Sequence, residues 1–286
     1  MIATLSRATP VLVQGIAGRM GRTHAGLMRA YGTNIVAGVA PDPGDIDAIP
    51  THATPAAAVA ATGAQVSVLF TPPLDTLPAA RAALAAGIRL IVTVAEGVPA
   101  HDALRLGRAV QAAGAQWVGA STPGLAIPGQ IKLGFLPDAA LRPGRFALMS
   151  KSGTLSYEVG YRLAQAGRGQ SLWVGVGGDA IKGVRFADLL PIFAADPNTD
   201  AIVLVGEVGG TEEEEAADAY ATLATPKPLL ALIAGREAKE GVAMGHAGAL
   251  VHGASGTLAE KTRRLEAAGV RVFPTIAALI TACIAL

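Results

Sequence analysis

His246 stands among small residues in the run Ala243-Met244-Gly245-His246-Ala247-Gly248-Ala249-Leu250, behind the apolar stretch Pro228 to Gly235 and just ahead of a helical pattern. A glycine-bearing turn at a helix amino end exposes backbone N–H groups and the positive end of the helix dipole, a setting that suits a phosphate. An imidazole placed there can accept a phosphoryl group covalently; the plainer alternative is a histidine in an ordinary tight turn. Glu207 is the second candidate. It closes the apolar run Ala201 to Val205 and is followed by Val208-Gly209-Gly210. In an open parallel sheet that position is the carboxyl edge of the strands, where ligands bind. A carboxylate there can fix the tautomer of an imidazole and raise its nucleophilicity, or it can simply face solvent.

Two further turns offer anion sites. In Ser150-Lys151-Ser152-Gly153-Thr154-Leu155, Ser152, Gly153 and Thr154 bring hydroxyls and N–H groups to a helix start. They serve either as an ordinary cap or as a phosphate cradle. Gly15-Ile16-Ala17-Gly18-Arg19-Met20-Gly21 follows a short apolar run and opens a helix, with G-x-x-G-x-x-G spacing in place of the dinucleotide G-x-G-x-x-G. Asp42 lies past the second strand, where a nicotinamide enzyme places its ribose-binding acid. Gly18-Arg19-Met20-Gly21-Arg22 also resembles the cofactor loop of dihydrodipicolinate reductases, which keeps an NAD(P)-dependent reductase open as an alternative. The acidic run Glu212 to Glu215 reads as dipole complementation at a helix start, with Thr211 and Glu214 forming a capping box.

These turns need elements to hold them, and the chain supplies an alternation of apolar runs and amphipathic helices. The first half reads as strands at Pro10–Gly15, Asn34–Val39, Gln65–Phe70, Arg89–Val94 and Gln116–Val118, with helices near 21–31, 55–62, 75–86 and 100–113 between them. The second half repeats the pattern from Arg145 to the last helix. Such alternation predicts an α/β fold with parallel sheets covered by helices on both faces. The proline-bearing stretch from Thr122 to Gly144 breaks the pattern and reads as a linker with short extended pieces. The predicted domains are therefore 1–123 and 124–286, each doubly wound.

The bulk numbers exclude several classes. The formal net charge is +1 over 286 residues with no Lys/Arg run, so nucleic acid is not an expected partner. Apolar residues make up 51%, yet the most apolar tail, Thr275 to Leu286, is shorter than the roughly 20 residues that span a bilayer. Arg7 and Pro10 interrupt any signal-peptide core, and the lone cysteine, Cys283, fits a reducing compartment. The expectation is a soluble, cytoplasmic protein. His24, His52, His101 and His252 show no metal-ligand spacing, so no metal is expected in this chain.

Taken together, the blocks resemble the α subunit of succinyl-CoA synthetase, the NDP-forming succinate–CoA ligase of the tricarboxylic acid cycle. The likeness runs from about Pro10 to Ile280 and rests on ordered blocks: Gln14-Gly15 through Gly21, Ala95-Glu96-Gly97-Val98-Pro99, Ser152-Gly153-Thr154-Leu155 with Tyr157-Glu158, Val176-Gly177-Gly178-Asp179, Gly206-Glu207-Val208-Gly209-Gly210, and Met244-Gly245-His246-Ala247-Gly248-Ala249. The resemblance implies a Rossmann-like CoA-binding domain followed by a flavodoxin-like domain. It implies that His246 carries phosphate, that Glu207 orients it, and that Ser152, Gly153 and Thr154 help bind the phosphate. CoA would lie over Gly15, Ala17, Gly18, Arg19 and Met20, with Val94, Ala95 and Glu96 nearby, and Tyr157 would stand beside the acyl substrate. ATP or GTP, with Mg, would be handled by an ATP-grasp β subunit in an αβ heterodimer or heterotetramer. The substrate would be a small carboxylate such as succinate.

The match departs from the family pattern in four places. A lysine that contacts CoA in the family is replaced by Pro43, between Asp42 and Asp45, unless Arg19 or Arg22 compensates. The usual Asn-Cys pair is Ser121 and Thr122, the cations before the histidine become Val242 and Ala243, and an arginine becomes Lys151. These changes point to a divergent member, and malate is one alternative substrate. A CoA-binding paralogue without turnover is the other.

Overall fold

The computed structural model describes residues 1–235 and 256–286. It divides into two compact units, Met1–Leu136 with Ile181–Gly183, and Pro137–Ala180 with Val184–Leu286.

The first unit contains β1 (Val11–Gln14), α1 (Arg19–Tyr31), β2 (Ile35–Val39), β3 (Asp45–Ile46), β4 (Ile49–His52), α2 (Pro55–Thr62), β5 (Val66–Leu69), α3 (Thr76–Ala85), β6 (Leu90–Thr93), α4 (Ala100–Ala112), β7 (Gln116–Val118), β8 (Gly124–Ile127) and β9 (Ile131–Gly134). Seven of its strands form a sheet in the order β3-β4-β2-β1-β5-β6-β7. All neighbours pair parallel except β3 with β4. Strands β1, β5 and β6 are buried at every position, as expected when helices cover both faces and the run is apolar throughout. The chain leaves β1 toward β2 and later returns to its other side at β5, which makes the β1/β5 boundary the topological switch point.

Helix α1 turns Gly21, Ala25 and Met28 inward and ends on Gly32, whose φ of 107° gives it the left-handed conformation that stops a helix. Helix α2 begins with Pro55 after Thr54, whose hydroxyl accepts from the Ala57 N–H. Leu12, Ile91, Leu106 and Trp117 meet in the core. The Trp117 indole satisfies its N–H on Thr93 Oγ1 at 2.8 Å.

Two hairpins were not legible from the alternation. The short pair β3–β4 has β3 as the edge strand of the sheet and sets Pro50 of β4 opposite Asp45. The stretch read as a linker contains the antiparallel hairpin β8–β9. It is fastened by reciprocal bonds between Thr33 Oγ1 and Lys132.

The second unit contains β10 (Pro143–Ser150), α5 (Gly153–Gln165), β11 (Gln170–Gly175), α6 (Phe186–Ala195), β12 (Ala201–Glu207), α7 (Glu212–Ala221), β13 (Leu229–Ala234), α8 (Leu258–Ala267), β14 (Arg271–Phe273) and α9 (Ile276–Ile284). Within the unit its strands lie in the order β14-β13-β12-β10-β11, all parallel. Counted from β10 this is the flavodoxin-like 2-1-3-4-5 order, with the switch point between β10 and β12. Leu148, Met149, Trp173, Val203, Leu204 and Leu230 are fully buried along these strands.

Candidate functional site

Each unit presents a set of sequence-predicted residues at its own switch point. In the first, the turn after β1 is held tight by three glycines with different jobs. Gly15 takes a φ of +75°, and a Cβ on it would meet Phe70 O at 2.8 Å. Gly21 packs α1 onto the turn so closely that a Cβ would stand 2.1 Å from Gly15 O. Gly18 is the N-cap of α1, and no side chain caps that end, so the first N–H groups of the helix are not consumed by a side chain. Ala17, Gly18, Arg19 and Met20 are exposed. Beyond β6, Val94 and Ala95 are partly buried and Glu96 is exposed at the same sheet edge. Among the described residues, Thr71 Oγ1, two residues past β5, and His24 Nδ1 on α1 are buried without a hydrogen-bond partner. Uncapped N–H groups and an orphaned hydroxyl beside the β1/β5 crevice fit a phosphate-bearing ligand.

His24 stacks on Phe70 with ring centroids 5.6 Å apart. Burial, with Lys132 adding to it, holds its imidazole below the ordinary histidine range. Arg22 does not reach toward the turn: its guanidinium grips Asp47 with two bonds of 2.7 and 2.5 Å. Asp42 is exposed near this edge.

In the second unit, β10 and β12 run side by side with Ser150 opposite Val205, so the turn after β10 and the end of β12 meet. The Lys151 N–H donates to Val205 O at 3.1 Å. Ser150 Oγ closes the turn, donating to Ser152 O at 2.7 Å and accepting from the Ser152 N–H at 3.1 Å. Ser152 Oγ caps α5 by accepting from the Leu155 N–H at 3.3 Å, while Thr154 is exposed. Glu207 ends β12 and is 7% exposed. Tyr157, one turn into α5, packs against Trp173 and lines a cavity of about 360 Å³ with Thr154, Glu158, Tyr161, Pro137 and Ala140. Burial pushes its phenol up to about 12.

His246 lies outside the described residues, but the two ends of the segment that carries it do not. The Val208 N–H donates to Ala234 O at 3.0 Å, and the Gly209 N–H donates to Gly256 O at 2.8 Å. Residues 234 and 256 are thus both bonded to the backbone immediately after Glu207. Gly235 has a φ of +101° and no room for a Cβ beside Val208, and Gly256 at φ +71° meets Gly210 O.

The acidic run departs from its expected role. No Thr211–Glu214 capping box forms; Thr211 donates to Glu215 at 2.7 Å and makes no cap bond. Glu213 is instead fully buried and receives Lys151 at 2.9 and 3.0 Å, Lys261 and the Glu207 N–H at 3.0 Å. Burial alone pushes its carboxyl up, but Lys151 and Lys261 and the hydrogen bonds outweigh that and hold it below the ordinary range. The reason for the miss is distance: the lysines are remote in sequence. One signal was available, since Lys261 falls on the buried face of α8 with Leu265.

Among the described residues no helix is long and apolar enough to cross a membrane, and no group of side chains could hold a metal ion.

Comparison with known proteins follows the same division. Residues 6–97 match the CoA binding domain family and residues 149–271 the CoA-ligase family. The chain is 42% identical over 277 residues to a succinate–CoA ligase [ADP-forming] subunit alpha of Archaeoglobus fulgidus, covering 96% of each. It belongs to the α-subunit family of succinate–CoA ligases. The family's members are acid–thiol ligase subunits, and they differ in the acid named. An ADP-forming sulfoacetate–CoA ligase subunit of Bilophila wadsworthia is 42% identical, with 92% of this chain and 91% of that one covered. A malate–CoA ligase subunit alpha of Methylorubrum extorquens is 38% identical, with 96% and 94% covered. Among solved structures, the ATP citrate lyase of Methanosaeta concilii in complex with (3S)-citryl-CoA superposes with a TM-score of 0.88 at 23% identity. This chain matches there over 99% of its own length and half of the lyase's, a likeness of fold. The α/β reading, with a Rossmann-like CoA-binding domain and a second α/β domain, agrees with both sets of relatives.

Proposed function

We propose that this chain is the phosphoryl-carrying half of an ADP- or GDP-forming carboxylate–CoA ligase, active with a β subunit of ATP-grasp type that holds ATP or GTP and Mg. His246 takes the phosphoryl group from the nucleotide and passes it to a carboxylate. The CoA thiol then displaces phosphate from the acyl phosphate and forms the thioester. Glu207 accepts the N–H of the His246 ring and orients it. The amino end of α5, at Ser152, Gly153 and Thr154, stabilises the phosphoryl charge, and Tyr157 borders the acyl group. CoA lies along Gly15 to Met20 and Val94 to Glu96.

The observation that carries this reading is the pinning of residues 234 and 256 beside Glu207. His246 is 12 residues past Ala234 and 10 before Gly256, so both anchors of the stretch that carries it stand beside that carboxylate, and either span is long enough to let the histidine reach it. The substrate we propose is a small acid with a second anionic group, the chemistry shared by the succinate, malate and sulfoacetate in the relatives' names.

The test uses the chain co-purified with its β partner and γ-labelled ATP or GTP. Acid-labile, base-stable label on the wild type that is absent from His246→Ala is expected. CoA thioester should then form with one or more of succinate, malate and sulfoacetate. A wild-type complex that binds CoA and nucleotide yet takes no label would refute turnover and leave a CoA-binding paralogue.

A further inference from the structure

We propose that Glu213, with Lys261 and Lys151 as its countercharges, is a positioning residue for this reaction; the inference rests on the phosphoryl-transfer reading. Its carboxylate ties three elements to one point. Oε1 accepts the Glu207 N–H at 3.0 Å, so Glu213 grips the backbone of the very residue that orients the phosphate carrier. Lys151, from the turn after β10, spans both carboxylate oxygens at 2.9 and 3.0 Å. Lys261, from α8, bonds Oε2 and reaches Glu214 at 3.1 Å. Glu212 completes the cluster, lying 3.6 Å from Lys151 and accepting the Phe186 N–H at 3.2 Å.

The Lys261 contact gives the cluster its reach. Helix α8 starts two residues after Gly256, the anchor of the segment that carries His246. Lys261 is fully buried on the inner face of that helix. The tie therefore sets where α8, and with it Gly256, stands relative to Glu207. Gly206 makes room for the arrangement, because a Cβ there would meet Glu213 Oε1 at 2.6 Å.

An acid that only complemented a helix dipole would do so from the surface. A fully buried carboxylate shared by two buried lysines is a poor way to gain stability, since desolvation consumes much of the attraction. What it does supply is a fixed geometry, because each partner accepts few alternatives inside a closed site.

The test compares Lys261→Met, Lys261→Arg and the charge-balanced double variant Glu213→Gln/Lys261→Met in complex with the β partner. Single-turnover labelling of His246 should slow at least tenfold in Lys261→Met and in the double variant. KM for nucleotide and CoA should stay within twofold of wild type, and Lys261→Arg should recover most of the rate. A cluster that serves folding alone would lower the melting temperature while folded protein labels at the wild-type rate, and that result overturns the proposal. Failure of every variant to fold assigns the cluster to folding and overturns it equally. Wild type that takes no label is a different outcome: it refutes the functional reading, and the proposal falls with it.

Discussion

Gly21 and Gly26 lie five residues apart on α1, yet a methyl group meets opposite surroundings at the two positions. At Gly21 the added carbon would stand 2.1 Å from Gly15 O, 2.7 Å from Gly15 C and 3.0 Å from Ile16 Cα. All three are backbone atoms, so no side chain can swing aside. Reaching ordinary contact at 3.4 Å means that the helix or the turn gives by 1.3 Å (3.4 minus 2.1). Overpacking of that kind costs about 3 kcal/mol, the upper end of its usual range. Roughly 1 kcal/mol returns from the better helix propensity of alanine, leaving a loss of about 2 kcal/mol. At Gly26 nothing among the described residues lies within 4 Å, so only the propensity gain of roughly 1 kcal/mol remains. The two variants should therefore differ by about 3 kcal/mol, or roughly 10 °C in the melting temperature of the first unit. Calorimetry on the full chain measures this, and titration with CoA measures the consequence. Gly21→Ala should lose at least about tenfold in CoA affinity, some 1.4 kcal/mol, and Gly26→Ala should bind as wild type. Equal melting temperatures, or equal loss of CoA binding in both variants, would refute the close-packed turn as the feature that shapes this site.

Three further outcomes follow from the charges and the thiol. Glu213 is held below the ordinary carboxylate range, so its stabilisation is present above the unfolded value and is lost as pH falls through the folded one; acid unfolding followed by circular dichroism should be shallower in Glu213→Gln than in wild type. Asp47→Asn releases Arg22 from an exposed clamp and should tighten CoA severalfold at low salt, with the gain fading as salt is added; an unchanged affinity at low salt would show that Arg22 takes no part. Cys283 is buried, and that burial pushes its thiol up to about 12 against the opposing charges of Arg271 and Arg168. Thiol reagents should leave the native chain unmodified and react fully once it is unfolded.

The parts of the fold that were legible in the sequence are those with a strong period. The β1–turn–α1 and β10–turn–α5 units, helix α2 and strand β14 fall where apolar runs, caps and glycines place them. The hairpins β3–β4 and β8–β9 were obscured because prolines and glycines at positions such as Pro50, Gly124 and Gly129 look like loop punctuation. The candidate site divides in the same way. Glu207 and Ser152 could be assigned to a strand end and a helix start from local pattern alone. Glu213 could not, because what distinguishes it from a solvated helix-start acid is its partners, 62 and 48 residues away. Local pattern likewise leaves Arg22 free to substitute for the missing lysine, whereas the fold brings Asp47, 25 residues away, onto its guanidinium.

The clasp formed by Val208 with Ala234 and by Gly209 with Gly256 separates the scaffold from whatever is strung between its ends. Ala234 and Gly256 are therefore both tied to the end of β12, and a shift of that strand end carries the two together. Gly235 and Gly256, at φ +101° and +71° and closed in by Val208 and Gly210 O, are the positions where a side chain would prise the clasp open. A single alanine at either one would unfasten one side of it while leaving every charged side chain in place.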